Sequence, residues 1–166
     1  MLSLLFAFAL VAQDVPFSAA DVRAVTTLIL NDLAPVDGRI GARPVTGRPL
    51  VIDEAEAATV FQRLTHAASS TPLASARAVI KMNSDRAIRC NARGDDCEVV
   101  NDGLFVRITE AAFMPVTGEL RVQCSLAWSN VRYDGRHRID SFNMDIVLKR
   151  DGHGWKIVRR ENAVTQ

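Results

Sequence analysis

The stretch LRVQCSLAW, residues 120–128, decides the fold. Every second side chain from Leu120, namely Val122, Cys124, Leu126 and Trp128, is apolar, and Arg121, Gln123 and Ser125 lie between them. A period of two with one wet face is the pattern of a half-buried strand. The stretch IDSFNMDIVLKR (139–150) repeats it, with Phe142, Met144, Ile146 and Leu148 on one side and Ser141, Asn143, Asp145 and Lys149 on the other. The turn sequence YDGRHR (133–138) joins the two. Outward from this pair, a strand from Leu104 to Phe113 leads in through MPVTGE (114–119), and a last strand from Trp155 to Val164 follows DGHG (151–154). Both connections have hairpin chemistry, so four antiparallel strands in a meander are predicted.

The N-terminal part has helical periodicity instead. Val22, Val25, Leu28, Ile29 and Leu33 recur at three- and four-residue steps, and Ser18 with Asp21 forms a capping pair ahead of them. Pro35, Gly38, Gly41, Pro44, Gly47 and Pro49 then punctuate a long surface loop. A second helix starts at Asp53, with Val60, Phe61, Leu64 and Ala68 inward, and stops between Ser69 and Pro72. The pattern is weakest over 73–101, where Val79, Ile80 and Met82 suggest a short strand or a helical turn. The fold class is therefore α+β, with N-terminal helices packed on one face of a long curved antiparallel sheet.

With 166 residues, 48 % of them apolar, the chain has material for one substantial core and reads as a single domain over 18–166. Twenty Lys and Arg against 19 Asp and Glu leave a net charge of +1, without the positive field that nucleic-acid binding draws on. The apolar run from Leu2 to Val11 is too short to span a bilayer and reads as a signal peptide, residues 1–12. Cleavage is expected near Ala12 or Gln13, with Ser18-Ala19-Ala20 as the other small-residue site. The expected location is periplasmic or secreted. There, three cysteines imply one bridge and one free thiol. Cys90 and Cys97 bracket a polar turn centred on Gly94, which favours their pairing, whereas Cys124 sits on the apolar side of its strand.

The closing segment VLKRDGHGWKIVRRENAV (147–164) resembles the last hairpin of the NTF2-like (cystatin-like, SnoaL-like) superfamily, with Trp155 and Ile157 sealing the base of a cone. The resemblance implies a cone closed by N-terminal helices over a bent sheet. Such domains include isomerases and dehydratases on apolar ring compounds, small-molecule binders and interaction modules, several of them homodimers, so the architecture alone selects no function.

Strict alternation places Glu110, Asn130 and Asp140 on the apolar face, and Arg159 and Glu161 on the side of Trp155 and Ile157. Asp140 and Glu110 are the candidate general bases, and Trp128, Asn130, Asp140, Arg159 and Glu161 the candidate ligand-binding set. The one Tyr, Tyr133, sits in a turn, so the Tyr and acid pair of an isomerase oxyanion hole has no counterpart. His66, His137 and His153 lie apart from one another and from Cys, which fits no metal spacing, and no phosphate-cradling motif occurs. No metal or cofactor is expected. Arg93-Gly94-Asp95 matches an adhesion tripeptide, but the Cys-bracketed turn accounts for it. Arg132, Arg136, Arg138, Lys149, Arg150, Lys156, Arg159 and Arg160 concentrate in the last hairpins, interleaved with Asp134, Asp145 and Asp151, as in a solvated sheet face. The expected function is a small-ligand-binding or protein-interaction module, its partner an apolar ligand or an envelope protein. The alternative is a cofactor-independent isomerase or dehydratase using a cone carboxylate.

Overall fold

A computed structural model describes residues 17–33, 48–65 and 79–162. The predicted signal peptide, His66 and most of the Pro- and Gly-rich loop lie outside the described residues. Helix α1, Ala19–Asp32, begins at the capping box: the Asp21 N–H donates to Ser18 Oγ, and the Ser18 N–H donates to Asp21 Oδ2 at 2.7 Å. Its buried residues, Val22, Val25, Thr26, Ile29 and Leu30, form one stripe. Thr26 satisfies its hydroxyl by donating to Val22 O.

Helix α2, Glu54–Thr65, starts where Asp53 predicts it. Asp53 Oδ1 accepts the Glu56 N–H at 3.0 Å, while Oδ2 accepts both the Ser84 N–H and the Ser84 hydroxyl. One nearly buried carboxylate thus holds the starts of α2 and of the short helix α3, Ser84–Ala87.

The predicted meander is present as β5 (Leu104–Met114), β6 (Glu119–Val131), β7 (His137–Asp151) and β8 (Gly154–Asn162). Strand β1, Leu50–Ile52, lies at the end of the predicted loop and pairs parallel with both β5 and β2, Val79–Lys81. The sheet is therefore mixed, in the order β2-β1-β5-β6-β7-β8, and not antiparallel throughout. A separate two-stranded hairpin, β3 (Ile88–Cys90) and β4 (Cys97–Val99), carries Cys90 directly opposite Cys97. These two are disulfide-bonded, and Cys124 is free and buried, as the spacing and the alternation indicate.

Side chains from α1, α2 and one face of the sheet make the main core, including Ile29, Phe61, Ile108, Leu126, Trp128 and Ile146. A smaller core lies on the other face, where Val51, Phe105 and Ala127 meet Ala87, Val99 and Val100 from the α3 and β3–β4 segment. Ser129 Oγ accepts the Val99 N–H at 2.6 Å and ties the hairpin to β6. Gly103 enters β5 beneath β1, and a Cβ there would meet Val51 Cγ2 at 2.6 Å and the Pro49 carbonyl at 3.0 Å.

Because Asp53 serves two elements, Asp53→Ala is expected to lower stability in urea unfolding by about 2 kcal/mol. Glu54→Ala, at a partly exposed carboxylate paired with Lys81, is expected to cost less than about 1 kcal/mol.

Candidate functional site

Two β-bulges decide which polar residues share a face. In β5, Ile108 pairs with Cys124 but Glu110 pairs with Gln123, so Thr109 is an extra residue. Beyond it the alternation reverses: Ala111 and Phe113 pack on the main core, and Glu110 is exposed on the opposite, outer face. In β8, Leu148 pairs with Ile157 but Val147 pairs with Arg159, so Val158 is extra. Ile157 and Trp155 remain inward, whereas Arg159 and Glu161 turn outward. The predicted inward placement of Glu110, Arg159 and Glu161 is thereby corrected.

The bulges create a row straight across four strands: Glu110 opposite Gln123, Gln123 opposite Asp145, Asp145 opposite Glu161. Two carboxylates facing each other across a ladder repel. Arg121 relieves this by reaching both Asp145, at 3.5 Å, and Glu161. Hydrogen bonds from Arg159 and Arg121 hold the Glu161 carboxyl below its ordinary range. With Ala112, the Glu110 end of this row lines a depression of about 160 Å³.

The inward candidates stay together. Trp128 is 2 % exposed and belongs to the main core. Beyond it, Asn130 Nδ2 donates to Asp140 Oδ2 at 2.8 Å, and Arg138 Nε lies 2.8 Å from Asp140 Oδ1. Both oxygens of Asp140 are engaged. A carboxylate held this way is fixed in place between an amide and a guanidinium, which suits orientation of neighbours better than proton abstraction. Asn130 and Arg138 also line an open depression with Arg132 and Tyr133.

The basic residues of the last hairpins are mostly paired. Arg136 meets Asp95 and Asp134, Lys156 meets Asp151, Arg159 meets Glu161, and Arg160 meets Asp32 of α1. Arg150 faces inward, not along the solvated face: its guanidinium stacks over Phe113 and Trp155, 5.4 and 5.0 Å from their centroids, and pairs with Asp21. Asp95, the acid of the adhesion-like tripeptide, is likewise occupied, by Asn91 Nδ2 at 2.7 Å and Arg136 Nη1 at 2.5 Å. His137 lies against Asp96, and His153 is an exposed turn residue.

The sequence reading missed Asp21 beyond its capping role. Burial works against its charge, but hydrogen bonds from Trp155 Nε1 and Ser18, with Arg150 beside it, keep its carboxyl below the ordinary value. Nothing in the local sequence of α1 signals a partner more than a hundred residues away. Cys124 shows the opposite case: burial first, then the nearby Asp145 charge, pushes its thiol up to about 12. It is a core side chain and not a nucleophile. Among the described residues, no group of His, Cys, Asp and Glu is placed to hold a metal, and no helix is long and apolar enough to cross a membrane. No family model, curated protein or solved structure matches the chain.

A carboxyl depressed in the folded state stabilises it above its unfolded value, near pH 4, and that contribution disappears as pH falls through the folded value. Trp155→Phe removes one of the donors to Asp21, so its stability loss is expected to be largest near neutrality and to shrink below pH 4, read from thermal midpoints across pH. Arg121→Ala is expected to lower the urea midpoint, and adding Glu161→Gln to recover part of it, because the pair of Asp145 and Glu161, left without Arg121 between them, then loses one charge.

Proposed function

We propose that the chain is an exported protein-interaction module of NTF2-like architecture, without catalysis. The observation that carries this reading is how the helix-facing side of the sheet is used. A small-ligand binder or an isomerase of this architecture needs an enclosed apolar cavity with a few convergent polar groups. Among the described residues, the space between the helices and the sheet holds Ile29, Leu30, Phe61, Ile108, Leu126 and Ile146, each fully buried in one continuous cluster. The polar groups that remain, from Asn130 to Arg138 and from Glu110 to Glu161, point outward or are engaged with one another. Recognition is therefore assigned to the outer surface. The Cys90 to Cys97 disulfide supports an oxidising compartment, and with it the reading of residues 1–12 as a cleaved signal.

Native mass spectrometry of the exported protein tests this, set against its denatured, non-reduced mass. The expected result is a chain beginning near residue 13, two hydrogens lighter than the reduced form, with no small molecule retained. A bound mass released on denaturation would overturn the interaction-module reading in favour of a binder or an enzyme.

A further inference from the structure

The connection between β6 and β7 stands out from the paired surface around it. Its backbone is fixed: the Arg132 N–H donates to Arg136 O at 2.7 Å, the Gly135 N–H donates to Arg132 O at 3.0 Å, and the Arg136 N–H donates to Asp134 Oδ1. Gly135, at φ 79°, supplies the left-handed residue that this turn requires. The disulfide hairpin buttresses it from the side, through Asp95 to Arg136 and through the His137 N–H to Asp96 Oδ1 at 2.8 Å. On this rigid support Tyr133 is wholly exposed. Arg136 and Arg138 are neutralised by Asp95, Asp134 and Asp140, whereas Arg132 has no carboxylate partner among the described residues. Arg132 and Arg138 stand between two depressions, one bordered by Asn130 and Tyr133, the other by Gly94 and Cys97 of the hairpin.

Tyr and Arg are the side chains that carry protein interfaces, and a turn already held in place loses little entropy on binding. The local charge is balanced: Arg93, Arg132, Arg136 and Arg138 stand among Asp95, Asp96, Asp134 and Asp140. A balanced surface lacks the field that draws anionic membranes or nucleic acid, which need several uncompensated cations. What it offers is the Arg132 guanidinium, without a carboxylate partner among the described residues, beside the bare ring of Tyr133. Resting on the interaction-module reading, we propose that the β6–β7 turn docks an acidic segment of a protein partner, with a Glu or Asp carboxylate on Arg132 and an adjoining aromatic or aliphatic side chain on Tyr133.

The test is fluorescence anisotropy of the full mature protein with a dye-labelled eight-residue peptide of alternating Glu and Tyr, beside its Lys and Tyr counterpart and vesicles containing phosphatidylglycerol. Saturable binding of the acidic peptide is expected, weakened at least tenfold by Arg132→Glu and by Tyr133→Ala, and unchanged by Lys156→Ala on β8. Thermal midpoints equal to the parent's would show that both turn variants remain folded, as their exposure implies. Absence of saturable binding, equal binding of both peptides, or vesicle binding that survives Tyr133→Ala would each overturn the proposal. These failures concern the surface alone, whereas a small molecule retained in the native mass spectrum would defeat the module reading beneath it.

Discussion

In an antiparallel ladder an extra residue in one strand reverses the facing of every side chain beyond it, and two such residues organise this molecule. Thr109 lets β5 keep Ala111 and Phe113 inward despite a local change of sequence phase, and Val158 lets β8 keep Trp155 and Ile157 inward while turning Arg159 and Glu161 outward. Without the first, Phe113 would leave the aromatic group it forms with Phe17 and Trp155, and Glu110 would enter the core in its place. Without the second, Ile157 and Arg159 could not both occupy their present faces. The first bulge thus keeps Glu110 out of the core, the second turns Arg160 toward Asp32 of α1, and together they assemble the acidic row on the outer face.

The inward face at the far end of β7 and β8 depends on Asp21. Its oxygens accept from Trp155 Nε1 and pair with Arg150, while the same carboxylate closes the capping box of α1. Arg150 in turn lies over Phe113 and Trp155, so a cation, two rings and a helix start are joined in one assembly. A second tie, Arg160 to Asp32, holds the other end of α1. Together they fix both ends of the helix on β7 and β8 by charge-assisted bonds while its middle is held by apolar contact. The ion pairs add orientation to a contact whose driving force is burial.

The elements that were legible in the sequence have one wet face. Leu120 to Trp128, Phe142 to Leu148 and the stripe from Val22 to Leu33 each place apolar residues at the period of their structure, and each forms where that period predicts. Strand β1 was not legible for the converse reason: Leu50 and Ile52 face the main core and Val51 faces the smaller one, so its three residues are all apolar and carry no period. The bulges were also silent, since Thr109 and Val158 are ordinary strand residues. The candidate site suffered accordingly. Trp128, Asn130 and Asp140 stay on one face because β6 and β7 pair without a shift, whereas Glu110, Arg159 and Glu161, each beyond a bulge, moved to the other.

Charge composition was uninformative about partners for a related reason. Twenty cations and 19 anions can describe a chain with opposed patches or one whose charges are locally paired, and only the fold distinguishes the two. Here the basic run of the last hairpins is largely consumed by pairing, much of it with acids distant in sequence, as Arg160 with Asp32 and Arg136 with Asp95 illustrate. Surface pairs of this kind add little stability each, but they remove the long-range field that would otherwise attract any polyanion. A surface of this kind leaves short-range fit, at the few groups unpaired among the described residues, as the source of any selectivity. Arg132 beside Tyr133 has this character, and Lys156, paired with Asp151, does not.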